Sequence, residues 1–172
     1  GFHPEAVLEQ LYKLTPMEDS FGINNVALVA GQPQTLGLKE LLRCFVDFRI
    51  DVVRRRTEYR LGKRRDRLHL VEGLLIAIVD IDEVIQLIRS SDDVATAKAR
   101  LIEVFDLSDI QATYILDLQL RRLTKFSRIE LEAEADKLRA EIAYLEGVLA
   151  DPARIRQLVS EELEQVAERF GT

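Results

Sequence analysis

The sequence predicts a mainly α-helical protein, in which a long antiparallel coiled-coil stalk carries a small helical head, with one short β-strand near the N-terminus. Three observations predict it. The 172 residues are 47% hydrophobic and 31% charged but include only eight Gly and four Pro, a composition poor in turn chemistry. Two stretches far apart in the chain repeat apolar residues at alternating spacings of four and three. Between them lies a series of short segments, each with a readable helix start.

The elements follow in order. His3-Pro4-Glu5-Ala6 places Pro and Glu in a helix first turn, and Ala6, Leu8, Leu11, Tyr12 and Leu14 supply an apolar stripe, so residues 4–14 read as a helix stopped by Thr15-Pro16. Residues 23–30, between Gly22 and Gly31-Gln32-Pro33, form the one convincing strand. A lone strand leaves its ladder groups unpaired, so it needs either an unrecognised short partner or sequence outside this chain. From Leu38 a long helix begins, with a seam through Leu41, Phe45, Phe48, Val52 and Tyr59 and Arg55 at the missing step.

The return helix is marked by Leu131, Ala135, Leu138, Ile142, Leu145 and Leu149, with a capping box in Ser127-Arg128-Ile129-Glu130. At 1.5 Å per residue the rods 38–64 and 128–149 measure about 40 and about 33 Å, a match that suggests antiparallel pairing. Helices are expected between them near 70–79, 81–90, 92–104 and 109–122, started by Asp80, by Ser91 to Asp93 and by a Ser108/Gln111 capping box. Asp151-Pro152 starts a last amphipathic helix. The implied segments are 1–37, 38–67 (outgoing helix), 68–126 (head), 127–150 (return helix) and 151–172, the last packing back on the stalk or the N-terminal elements. Gly62, inside the outgoing helix, admits two readings, a point of bending or a point of close packing.

Several function classes are excluded. One Cys excludes an internal disulfide framework, that Cys and two isolated His make no four-ligand zinc site without help from carboxylates, and a reducing, cytoplasmic setting is expected. No apolar run reaches the length of a membrane span, and GFHPEAV has neither the charged n-region nor the apolar h-region expected of a signal peptide. There is no phosphate-binding Gly loop and no nucleophile in a recognisable turn. Asp80, Asp82 and Glu83 are explained by capping, Cys44 and His69 by packing. Net charge is −6, yet residues 43–67 carry ten basic side chains against four acidic ones. That strip is either polyanion-binding or a basic helix beside the acidic return helix. The helix near 109–122 is apolar on more than one face, which fits either a central head helix or a self-complementary dimer contact.

The run from Leu38-Lys39-Glu40 through Phe45-Val46-Asp47-Phe48-Arg49-Ile50-Asp51 to Arg54-Arg55-Arg56-Thr57 closely resembles the A-subunit family of bacterial DNA gyrase. So do Leu70-Val71-Glu72-Gly73-Leu74, Ile81-Asp82-Glu83-Val84-Ile85 and the Gln111-Ala112…Ile115-Leu116-Asp117-Leu118 stretch. The resemblance spans essentially the whole chain; the paralogous topoisomerase IV A subunit shares it, and the compact head looks actinobacterial. It implies a parent type IIA topoisomerase that is ATP-dependent, cuts one duplex through a tyrosyl phosphodiester and passes another. This segment would be the end of the tower domain (1–37), the coiled-coil stalk and the head of the exit gate, where two A subunits meet.

The family's catalytic tyrosine follows an arginine in an upstream winged-helix domain. Tyr12, Tyr59, Tyr114 and Tyr144 lack that context, so no catalytic, cofactor or metal residue is assigned. Mg2+ and ATP would be held by the gyrase B subunit of a heterotetramer. The expected dimer contact comprises Tyr114, Ile115, Asp117, Leu118, Leu120 and Arg121. DNA-facing candidates are Arg54, Arg55, Arg56, Arg60, Lys63, Arg64, Arg65 and Arg67, some of which must instead pair with the acidic return helix. The rival readings are a stand-alone coiled-coil dimerisation or nucleic-acid-binding adaptor, and the equivalent segment of topoisomerase IV.

Overall fold

Pro4 opens the first helix, α1 (Pro4–Leu14), where its missing N–H is one of the groups a helix leaves unpaired in any case. The protein is described by a computed structural model covering residue 1, residues 3–118 and residues 128–171, in two compact units, Gly1–Asp47 and Phe48–Thr172. The N–H and Oγ1 of Thr15 both donate to the Leu11 carbonyl and close α1 ahead of Pro16. The strand expected at 23–30 is shorter than expected and has the unrecognised short partner it needs, so the one strand becomes a two-stranded hairpin. Strand β1 (Val26–Val29) pairs antiparallel with β2 (Gln32–Thr35), in the register Val26↔Thr35, Ala27↔Gln34, Leu28↔Pro33, Val29↔Gln32.

The partner is hidden in sequence because Gly31-Gln32-Pro33 looks like punctuation. Ala30 and Gly31 both have positive φ, 51° and 82°, which gives the two-residue hairpin loop whose twist suits the strands. The Leu36 N–H bonds the Asn25 carbonyl, so alternation along the ladder puts Leu28↔Pro33 at a non-hydrogen-bonded pair. Pro33 therefore forfeits no ladder bond.

Helix α2 (Leu38–Val79) runs 42 residues, about 63 Å, without the break expected near 68–69. The change from a seam pattern to the denser apolar run after Leu68 marks a change of packing partner, and no Gly or Pro between Lys63 and Glu72 stops the helix. Its buried face is also not the expected one. Val53, Thr57 and Leu61 are buried, while Phe48 and Tyr59 stand exposed. The aromatic spacing misleads because Thr57 reads as polar, yet its hydroxyl is satisfied by donating to the Val53 carbonyl at 2.7 Å.

Helices α3 (Ile81–Arg89), α4 (Val94–Phe105) and α5 (Asp109–Asp117) form the head, followed by α6 (Arg128–Ala150) and α7 (Pro152–Phe170). Ser108 and Gln111 make the reciprocal capping box expected of α5. Asp93 accepts from the Thr96 N–H and Asp151 from the Ala153 N–H. Asp80 precedes α3 but makes no side-chain cap bond. Helix α5 ends at Asp117, with Leu118 already extended, short of the expected 122; the remainder of that expectation and the Ser127 cap lie outside the described residues.

Residues 48–172 contain two apolar cores. The head core joins Val71, Leu74 and Ala77 of α2 to Val84, Leu87, Leu101, Leu107, Ala112 and Ile115, and is closed by Leu131, Ala135 and Leu138 of α6. The second core joins Val53 of α2, Val148 of α6 and Ile155 and Val159 of α7. Ile142, Leu145 and Leu149 of the predicted heptad are only half-buried, because Val148 turns toward α7 at that end. Between the cores, α2 has no buried residue from 62 to 70 and α6 none from 139 to 147.

Candidate functional site

The acids of α6 and α7 decide which of the basic strip's cations remain available. Glu162 of α7 accepts from both Arg49, at 2.9 Å, and Arg56. The Arg56 hydrogen bond, opposed by burial and reinforced by the charges of Arg56 and Arg49, holds the Glu162 carboxyl below the usual carboxylate range. Arg64 pairs with Glu141 and Arg65 with Glu146. Arg67 grips Glu134 with two nitrogens, at 2.7 and 3.1 Å, and donates to the Tyr114 hydroxyl at 3.4 Å. The Glu134 bond, against the pull of burial, raises the Arg67 pKa further above its ordinary value.

Arg55 is engaged within its own helix by Asp51 at 2.9 Å. Arg54, Arg60 and Lys63 have no carboxylate within ion-pair distance among the described residues. The two readings of the basic strip thus divide by residue. Arg56, Arg64, Arg65 and Arg67 are a basic helix face beside acidic helices, and Arg54, Arg60 and Lys63 are uncompensated positive charge.

The residues expected at a dimer contact fall on and after α5. Ile115 is 1% exposed and belongs to the head core, so it supports the surface from beneath. Tyr114 and Leu118 are half-buried against that core, Asp117 is exposed, and Leu120 and Arg121 lie outside the described residues. Helix α5 is held by a partly buried polar knot. Gln111 donates to the His69 carbonyl at 2.7 Å and accepts from the Ser108 N–H at 2.9 Å, and His69 Nε2 and Ser108 Oγ share a bond at 2.6 Å. Gly73 makes this crossing possible, since a Cβ there would stand 2.8 Å from Gln111 Cγ. His69 and Gln111 are therefore spent on architecture.

Sequence reasoning misses Glu162 and the surroundings of Tyr59. Glu162 looks like one acid among many on α7, and only the fold brings it to Arg49 and Arg56. Tyr59 reads as a seam residue; its i, i+4 relation to Lys63, whose Nζ lies 5.7 Å from the ring centre, is the available signal. Among the described residues no three of His, Cys, Asp and Glu stand close enough to share a metal ion, and no helix is long and apolar enough to cross a membrane.

The chain's similarity to known proteins is extensive. The family of DNA gyrase/topoisomerase IV A subunits matches residues 1–164. The DNA gyrase A subunit of Brachyspira hyodysenteriae is 44% identical over 171 residues, 99% of this chain and 20% of the relative. The Mycolicibacterium smegmatis protein of the same name is 47% identical over 97% of this chain, and that of Staphylococcus epidermidis 49% over 96%, covering 20% and 18% of those relatives. The Staphylococcus protein is as similar as the mycobacterial one, so identity gives the actinobacterial leaning no support. The chain spans about a fifth of the length of the curated relatives it matches.

Proposed function

The chain belongs to the DNA gyrase/topoisomerase IV A-subunit family, and on that premise we propose that it is the exit-gate and dimerisation segment of a gyrase A subunit. In this reading two copies meet head to head, holding the dimer together while a duplex is broken elsewhere in the parent enzyme, then part to release the transported duplex. The observation that carries it is the construction of residues 48–172. Two long antiparallel helices are locked at one end into a head with its own core and at the other into a second core with α7. Such an arm transmits displacement at its base to a contact at its head, which a gate requires.

The contact surface assigned by this reading is Tyr114, Asp117 and Leu118, continued by Leu120 and Arg121, with Ile115 as support. Arg67 couples it to the stalk by holding Tyr114 and Glu134 together. A modest, partly polar interface suits a contact that must both hold and open. Cleavage, ATP turnover and Mg2+ binding belong in this reading to the remainder of the parent heterotetramer, in its A and B subunits. The equivalent role in topoisomerase IV differs only in the parent.

Sedimentation equilibrium of the chain beside Leu118→Glu and Asp117→Arg tests the reading. The expected result is a dimer converted by both variants to a folded monomer. Leu118 also packs on the head core, so Leu118→Glu risks unfolding the head; Asp117 is exposed, so its variant isolates the interface. A wild-type monomer across micromolar concentrations removes the assignment.

A further inference from the structure

Arg60 and Lys63 lie on one flank of α2 in a stripe with Arg49, Arg56 and Arg67, at spacings of seven, four, three and four. The stripe is neutralised at both ends, by Glu162 at Arg49 and Arg56 and by Glu134 at Arg67. It is left uncompensated in the middle. There, between the two apolar cores and on either side of the buried Leu61, the helices leave a groove of about 440 Å3. Its walls are Tyr59, Arg60, Lys63 and Arg64 of α2 and Glu141, Tyr144 and Leu145 of α6.

Three cations face one carboxylate, and that carboxylate, Glu141, is already held by Arg64. Tyr59 and Tyr144, 67% and 52% exposed, add two hydroxyl donors at the mouth, their ring faces carrying Lys63 at 5.7 Å and Arg154 at 6.0 Å. Cationic and hydroxyl donors in an open groove, without a deep apolar pocket, suit a chain of phosphates better than a folded apolar partner.

We propose that this groove binds the phosphodiester backbone of duplex DNA, with Arg60 and Lys63 as the charge-bearing contacts and Tyr59 and Tyr144 as hydroxyl donors. The choice of duplex as the occupant rests on the gate reading; the groove itself rests on the pairing pattern. Of the eight basic candidates, the proposal selects two and assigns Arg56, Arg64, Arg65 and Arg67 to internal pairing. Arg54, on the opposite flank, provides a free cation away from the groove.

The test is fluorescence anisotropy of the 172-residue chain with a labelled mixed-sequence duplex at several salt concentrations, run beside sedimentation equilibrium. Arg60→Ala/Lys63→Ala is expected to weaken binding about ten-fold and to flatten the logarithmic salt dependence by about two, near one for each phosphate no longer neutralised. Tyr59→Phe/Tyr144→Phe is expected to weaken binding with the salt dependence unchanged. Arg54→Ala is expected to change affinity by less than about two-fold, since it removes a charge away from the groove. An Arg54→Ala loss as large as that of the double variant overturns the groove in favour of diffuse charge. Competition by polyglutamate as effective as by unlabelled duplex overturns the DNA occupant in favour of an acidic protein. A dimer that binds no duplex overturns the groove and leaves the gate standing; a monomer whose binding depends on Arg60 and Lys63 supports the groove and removes the gate.

Discussion

Glu162 shows how one side chain far along the sequence fixes the meaning of several others. It draws Arg49 and Arg56 toward α7 and takes them out of the basic strip. Its pKa is lowered in the folded state, chiefly by the Arg56 hydrogen bond, so its stabilising contribution is full above the unfolded carboxylate value and is lost as pH falls through the folded one. Being about a third exposed, the cluster contributes about 1 kcal/mol, the upper range for such pairs. Glu162→Gln is therefore expected to lower unfolding free energy by about 1 kcal/mol above about pH 5, with the gap to wild type closing below about pH 4. Urea unfolding across that range measures it, and a gap undiminished at the acid end would mean packing, not charge, is lost. None of this is legible in sequence, where Glu162 differs in nothing from Glu161.

Elements are legible where local chemistry dominates and obscure where partners decide. The α1 and α7 starts, the Ser108/Gln111 box and the heptad of α6 near the head all follow from side chains within a few residues. The buried face of α2 does not, because a helix with apolar residues on several sides takes its seam from its neighbours, and these select Val53, Thr57 and Leu61 over Phe48 and Tyr59. Strand β2 escapes a sequence reading because Pro33 is harmless only at the pair it happens to occupy. Gly62 keeps one of its two readings: nothing lies within 4 Å of where its Cβ would be, so close packing does not account for it. In mid-helix and exposed, Gly62→Ala is expected to raise stability by up to about 1 kcal/mol through helix propensity and reduced unfolded-state entropy. Chemical denaturation measures this, and a neutral or destabilising result would show that α2 departs from helical geometry there in solution.

At the scale of the molecule, the two units differ in what holds them. Residues 48–172 carry two apolar cores, whereas none of the described residues of 1–47 is buried, and Leu14, Phe21 and Ile23 are more than 80% exposed. A two-stranded hairpin with no buried face is marginal in water, and α1, at eleven residues, is below the length at which isolated helices persist. Local opening should therefore be far cheaper in the first unit than in the second. Hydrogen exchange on the chain is expected to show α1, β1 and β2 exchanging with little protection, while amides of 71–77, 84–87 and 131–138 stay protected to near the global unfolding free energy. Comparable protection in both units would mean the exposed apolar side chains of 1–47 are covered in solution, by self-association if protection rises with concentration. The unequal result has a functional consequence. The segment proposed to form the gate is the one that supplies its own rigidity, so tests of dimerisation and duplex binding on this chain read the properties of residues 48–172 even while the first unit frays.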